Sequence, residues 1–484
     1  MHIVLQPYNW QAVGDDETGG WIYTQQTYDW TGRPRIRTAS DGTTKEATYT
    51  GCGCAGGEVT TLTGETVLLP PQSGAGAFGN DRRKQKLYTD VLGRTVKTEM
   101  LNRDGTPYTT TVTEYNARDQ VTAVKEYKGA ATSDGSCPAG TCQLTSTGYD
   151  GHARVNSHHR PEQSAGTSTT WLYNNDDTVQ KITDARGASE TYTYNARHLV
   201  TNVTYAWPGG GTIPSPITIA YDAAGNRTSM SDSTGAVSYH YDQLSRMDWE
   251  ERNFTSLGST LYRFSYGYNL AGNLTSLTEP TQFGASVTYG YDNAGRLNSV
   301  TGSGLPGAVT QLASNRKYRA WGDVREMDFG NGLRLNQGFN SNMLISNYQV
   351  KVPGTPVGEG ERAKSSYQYE ADGRIIQMSD STDGNFGRSY LYDHVGRLID
   401  ADTASPAYFQ SFSYDEFDHM TGRSNGSWRH SDFTVSNWQN NRNTSTTIIP
   451  PSHPACCPPQ PVTWTYNADG EVTHDHNKDL WVPS

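Results

Sequence analysis

The chain has 484 residues, of which 34% are hydrophobic and 18% charged, with 50 glycines, 30 tyrosines and a net charge of −11. That length excludes a single small module and allows a large buried interior, while the acidic balance provides no basic field for phosphate backbones and disfavours general nucleic-acid binding. A composition rich in Gly, Thr and Tyr suits pleated strands and tight turns, so long helices are not expected.

The amino end, Met1-His2-Ile3-Val4-Leu5-Gln6-Pro7, has neither the basic nor the apolar region of a signal peptide. The longest apolar runs, such as Val67-Leu68-Leu69, stop at prolines far short of the roughly 20 residues that span a bilayer, so no membrane span is expected. Residues 1–87 read as an amino-terminal repeat segment interrupted at 41–82 by an insertion rich in Cys and Gly. Within it, Gly74-Ala75-Gly76-Ala77-Phe78-Gly79 has the spacing of a dinucleotide loop, but prolines precede it and no amphipathic helix follows, which makes it a flexible loop. No cofactor is expected.

Residues 88–422 carry a phrase that recurs about every 25 residues. Its clearest copies are Tyr291-Asp292-Asn293-Ala294-Gly295-Arg296-Leu297 and Tyr392-Asp393-His394-Val395-Gly396-Arg397-Leu398. Close relatives pair Tyr28 with Gly32, Tyr221-Asp222 with Gly225, Tyr268 with Gly272, Tyr369 with Gly373 and Tyr466 with Gly470. Degenerate copies start at Tyr115, Tyr149, Tyr173, Tyr194, Tyr241, Tyr318 and Tyr414. Before each anchor the alternation has period two: Val287, Tyr289 and Tyr291 share one face of a strand. The Asp or Asn after Tyr accepts backbone N–H bonds in a turn, the Gly supplies positive φ, and Arg and Leu restart the alternation. Each copy is therefore a hairpin with turns at positions such as Asn293-Ala294, His394-Val395 and Ala223-Ala224, and stacked hairpins form one long curved antiparallel sheet. The tyrosine stripe reads as a cross-strand packing ladder, with a glycan-binding surface as the alternative.

Smaller insertions at 129–143, 207–216 and 351–364 read as loops. Of the six cysteines only Cys137 and Cys142 have a spacing that closes a short disulfide loop easily. Cys52, Cys54, Cys456 and Cys457 lack the spacers of a zinc site and read as loop thiols. His158-His159 and His474-Asp475-His476 lack a third ligand at recognisable spacing, and Asp176-Asp177 are turn residues, so neither a metal nor a catalytic site is expected. Residues 423–484 hold a polar run, a Pro-Cys-Cys-Pro-Pro cluster and an anchor at Tyr466 that begins a repeat without its partner strand, leaving an unpaired edge prone to self-association.

The phrase Tyr-Asp-x-x-Gly-Arg-Leu at 291–297 and 392–398 resembles the YD repeat of the Rhs family, which also includes teneurins and the C components of insecticidal toxin complexes. The resemblance implies an all-β sheet that spirals into a hollow cocoon enclosing a carboxyl-terminal toxin domain, secretion or cell-surface display, and roles in interbacterial competition. In that family the shell core ends in a DPxGL-like motif whose aspartates cleave the chain. No such string occurs here, so the self-cleaving centre and the toxin partner are expected to lie beyond Ser484 or to be lost. The reading is a structural, non-enzymatic shell segment; its alternative is an extracellular adhesion protein that binds cell-surface glycan.

Overall fold

The computed structural model describes residues 2–6, 22–51, 59–66, 82–210, 212–258, 260–305, 310–356, 358–403, 409–425, 432–449 and 460–474. The Gly74-to-Gly79 loop, His476 and the four cysteines Cys52, Cys54, Cys456 and Cys457 lie outside them. Among the described residues the regular structure is all β, apart from single 3-10 turns at Thr255–Leu257 and Gly384–Phe386. Consecutive strands pair antiparallel in a 36-stranded sheet, as the hairpin repeat predicts. Two compact units are present. The first comprises Met1–Thr169, Gly338–Asn347 and Lys364–Ser484, and the second Thr170–Gln337 and Tyr348–Ala363.

Alternation along several strands carries into burial. Gly235–Tyr241 alternates between half-buried and exposed positions, as do Ile217–Tyr221 and Arg388–Tyr392. The large interior that chain length allows is not built among the described residues. Buried apolar side chains are few among the described residues, and include Leu101, Ala123, Tyr127, Cys142, Val203, Pro280, Ala285 and Phe339. Half-buried cross-strand rows and hydrogen bonds between repeats hold the sheet in place of a thick core.

Two regions that interrupt the sequence rhythm also hold paired strands, and the last anchor differs from its reading. Within 41–82, Thr44–Thr50 and Val59–Thr66 are paired strands, with Glu46 opposite Thr63 and Thr50 opposite Val59. Their Thr-rich alternation suits a pleat even though no Tyr-Asp turn joins them. In 423–462, Asp432–Gln439 pairs with Arg442–Ile449 through a two-residue turn at Asn440 and Asn441, whose φ values of +50° and +60° are those of a type I′ hairpin. The strand at Tyr466 is not left without a partner: Thr465–Tyr466 pairs with Val472–His474.

Candidate functional site: the repeat turn and the seam it builds

The clearest copy of the motif shows how the turn is made. Asp292 N–H donates to the Arg296 carbonyl and Gly295 N–H to the Asp292 carbonyl, both at 2.9 Å. One carboxylate oxygen of Asp292 accepts the N–H groups of Ala294 and Arg296 at 2.9 Å, and the other accepts the Arg296 guanidinium at 2.8 Å. The Arg296 backbone N–H, followed by its guanidinium, holds the Asp292 carboxyl below the usual carboxylate range against the opposing effect of burial. Tyr291 pairs with Leu297 whereas Gly290 pairs with Ser299, so the returning strand carries one extra residue, the bulge that follows a three-residue hairpin loop. The same shift precedes Tyr28, Tyr221, Tyr268, Tyr369, Tyr392 and Tyr466.

Gly295 sits at φ +76°, Gly225 at +95°, Gly396 at +99° and Gly32, Gly272, Gly373 and Gly470 between +84° and +91°. Gly295→Ala should destabilise its hairpin by about 1–2 kcal/mol through backbone strain alone, because the nearest atom to an added Cβ is Asn273 Nδ2 at 3.7 Å. Gly470→Ala should be worse, since its Cβ would lie 2.6 Å from the Glu162 carbonyl oxygen. Hydrogen exchange of each turn measures both, and equal effects would mean that close approach at Gly470 is unimportant.

The anchor tyrosines form more than a ladder. Six of their hydroxyls donate to the carbonyl of the residue that follows the preceding hairpin's turn: Tyr221 to Val200 (2.9 Å), Tyr268 to Met247 (2.9 Å), Tyr291 to Leu274 (2.6 Å), Tyr369 to Ile345 (2.6 Å), Tyr392 to Ile375 (2.8 Å) and Tyr466 to Asn443 (2.9 Å). The Arg of that preceding turn lies over the next ring, as with Arg246 on Tyr268, Arg296 on Tyr318, Arg374 on Tyr392 and Arg397 on Tyr414. Asp and Gly thus close a turn within a repeat, while Tyr and Arg tie it to its neighbour.

In the first unit, turns of the later repeats also dock on strands and turns of the earlier ones. Ser40 Oγ donates to the Ser341 carbonyl, and Arg83 donates to Asp372 at 2.5 Å and to Glu370 at 3.4 Å. Arg397 donates to the Tyr108 hydroxyl at 2.7 Å, with His394 edge-on to the Tyr108 ring at 4.6 Å. Lys128 lies 3.6 Å from Asp415, and Gln163 donates to Asp469 at 2.7 Å. Sequence separations are 301 for Ser40 and Ser341, 289 for Tyr108 and Arg397 and 306 for Gln163 and Asp469, so two runs of sheet meet along a seam at a nearly constant offset. Sequence reading missed Arg83, Tyr108, Lys128 and Gln163, because nothing local marks a partner so distant.

Within the seam, His419 stacks on Trp438 with ring centroids 4.3 Å apart, and its two ring nitrogens lie 2.9 Å from Asp415 Oδ2 and from Asn441 Oδ1. Burial disfavours its charge, yet the bonds to Asp415 and Asn441 outweigh that and raise its pKa above 6.5. Its stabilisation is therefore complete below the unfolded value near 6.5 and is lost as pH rises through the elevated folded value. Exchange protection of residues 415–419 should fall on going from about pH 6.5 to 9. His419→Gln should remove that dependence, and a variant that keeps it would assign the titration elsewhere.

His158 Nδ1 lies 3.1 Å from Thr147 Oγ1 and His159 Nδ1 2.6 Å from the Thr167 carbonyl. Asp176 caps Thr178, and Asp177 occupies a turn at φ +67°. Cys137 and Cys142 form a disulfide with Cα atoms 5.0 Å apart. Among the described residues no three His, Cys, Asp or Glu side chains are grouped to hold a metal ion, and no helix is long and apolar enough to cross a membrane.

Fold and turn together define a tandem-hairpin protein. Residues 268–304, from the anchor Tyr268 through the Tyr291 turn, match the RHS Repeat family model. Solved structures with a similar fold include the crystal structure of TcdB2-TccC3-TEV (TM-score 0.69, 14% identity, 94% of this chain and 26% of that one). TcdB2-TccC3-Cdc42 follows with TM-score 0.66 and 14% identity over 93% of this chain and 26% of that one. The Photorhabdus luminescens Tc holotoxin pore matches with TM-score 0.52 and 14% identity over 98% of this chain and 30% of that one. This chain thus spans between a quarter and a third of the length of the chains it resembles. No curated protein sequence matches it.

Proposed function

We propose that this chain is a wall segment of an Rhs-type toxin shell, not itself catalytic, that encloses and helps deliver a carboxyl-terminal effector from a secreted or surface-exposed assembly. The observation that carries the reading is the seam. Within the first unit, early and late repeats bond to each other at an offset near 300 residues, as a wall that winds back on itself requires and an open flat array does not. Similarity of fold to TcdB2-TccC3 structures supports the same role. The glycan-binding alternative has less support: the anchor tyrosines spend their hydroxyls on backbone carbonyls, and Arg side chains lie over several of their rings, which leaves less aromatic face for a sugar.

Electron microscopy and limited proteolysis of the complete gene product test the proposal. Density around a lumen, with the segment after the repeats protected from protease until the wall is denatured, is the expected result. A particle without a lumen, or a following segment digested as fast as unfolded chain, would overturn it. Glycan-array binding abolished by anchor-tyrosine substitution would favour adhesion.

A further inference from the structure

The strands Val121–Lys128 and Cys142–Tyr149 are joined by residues 129–141, and the disulfide between Cys137 and Cys142 fastens that loop to the start of the second strand. Its two sulfurs differ in environment: Cys142 is 3% exposed, whereas Cys137 is half-buried between exposed neighbours. Beside the bond, the Ser136 carbonyl accepts the hydroxyl of Tyr127 at 2.9 Å and that of Thr132 at 2.7 Å, and Lys125 donates to the Gly135 carbonyl at 2.7 Å. Tyr127 is one of the most deeply buried side chains of the described residues. Its neighbour Lys128 donates its backbone N–H to the Thr141 carbonyl at 2.9 Å, next to Cys142. The Lys128 ammonium faces the seam, 3.6 Å from Asp415, 3.8 Å from Glu416 and 5.1 Å from the centre of the Phe417 ring. A continuous set of contacts therefore leads from the disulfide, through Ser136, Tyr127 and Thr141, to the cation that holds the turn at 415–418.

We propose that the bond between Cys137 and Cys142 is a thiol–disulfide exchange site, opened by a dithiol reductant, whose reduction loosens the seam at residues 415–418. A reductant thiolate attacks Cys137 Sγ, the more accessible sulfur; the S–S bond breaks and its electron pair leaves on Cys142 Sγ, which takes up a proton. The Gln143 carbonyl lies 3.7 Å from that sulfur, within reach of the new thiol. The reductant's second thiolate then attacks its own sulfur in the mixed disulfide, releasing Cys137 as a thiolate that is protonated and leaving the reductant as a cyclic disulfide. Two electrons and two protons pass to the protein. Freed of the cross-link, residues 129–141 regain conformational freedom, and Tyr127 and Lys128 lose the rigid backing of their partners. Such a bond forms in an oxidising compartment and is reduced in a reducing one, so the seam would respond to transfer between them.

Hydrogen exchange of the full chain with and without dithiothreitol tests this, with alkylation and peptide mapping to establish which cysteines are reduced. Expected are alkylation of both Cys137 and Cys142, faster exchange in 121–149 and also in 414–420, no change in 286–301, and reversal on reoxidation. Cys137→Ser should reproduce the reduced pattern. Should that variant fold poorly, Lys128→Ala supplies the second arm: it should accelerate exchange at 414–420 without reductant and abolish the further response there to reduction. A pair that resists the dithiol while the chain stays folded would overturn the exchange site. Reduction that loosens 129–141 but leaves 414–420 unchanged would overturn the coupling. Neither result bears on the shell proposal, which concerns the complete protein's lumen.

Discussion

Arg397→Ala is expected to detach the turn at 393–397 from Tyr108 and to destabilise the first unit by about 3–5 kcal/mol, the range found when one partner of a buried ion pair is removed. The guanidinium, 16% exposed, bonds Asp393 at 2.7 Å within its own turn, the Asp415 carbonyl and Asp418 carboxylate of the next turn at 2.7 Å, and the Tyr108 hydroxyl across the seam at 2.7 Å. Burial opposes its charge, but the Tyr108 and Asp393 bonds outweigh that and raise its pKa above the ordinary arginine value. Without it, Asp393 is left 14% exposed and lacking its cation. Arg296 holds the same motif position in the second unit at 44% exposure, so Arg296→Ala should have a much smaller effect. Asp393→Asn added to Arg397→Ala should recover part of the loss by removing the stranded carboxylate. Hydrogen exchange resolved by repeat is the measurement, because stability in a repeat array is a sum of neighbour terms and one unfolding free energy describes it poorly. Equal effects at Arg397 and Arg296 would show that the seam adds nothing to the turn.

That contrast shows what one sequence can and cannot disclose. Strand, turn and strand were legible at Tyr291 because each feature depends on neighbours within a few residues: a period-two stripe, an Asp able to bond N–H groups two and four positions ahead, and a Gly where φ must be positive. The destination of the Tyr291 hydroxyl was not legible, since the Leu274 carbonyl belongs to another hairpin and any residue type supplies a carbonyl. The hairpin at Asn440 and Asn441 went unrecognised because its turn uses two asparagines in left-handed geometry and no Tyr-Asp phrase. The seam left no local trace. Tyr108 and Arg397 are 289 positions apart, and the motif assigns Arg397 a turn role at every copy, so its second role depends on which strand the sheet brings alongside.

The pair at Arg83 and Glu370 gives the second large effect, and pH gives it a signature. Glu370 is 1% exposed in its side chain and lies 3.4 Å from Arg83, which is 12% exposed and also bonds Asp372 at 2.5 Å and the Asp393 carbonyl at 3.3 Å. Burial raises the Glu370 pKa above its ordinary value even though the nearby Arg83 charge lowers it. Arg83→Met removes that compensation and should destabilise the seam by about 3–5 kcal/mol near neutral pH. With the folded pKa raised further above the unfolded one, the carboxyl's contribution is fully present below the unfolded value and is lost as pH rises through the folded value. The variant should therefore lie closer to the parent at about pH 5 than at about pH 8, which is opposite to the acid sensitivity expected of a carboxylate whose pKa is depressed. Arg83→Met combined with Glu370→Gln should recover much of the loss and flatten its pH dependence, because no buried charge remains unpaired at Glu370. Exchange rates for residues 82–89 and 366–373 at the two pH values, corrected for intrinsic exchange, decide the matter. A single variant equally destabilised at both, with no recovery in the double, would mean that Arg83 acts by packing its side chain against the seam and not by neutralising Glu370.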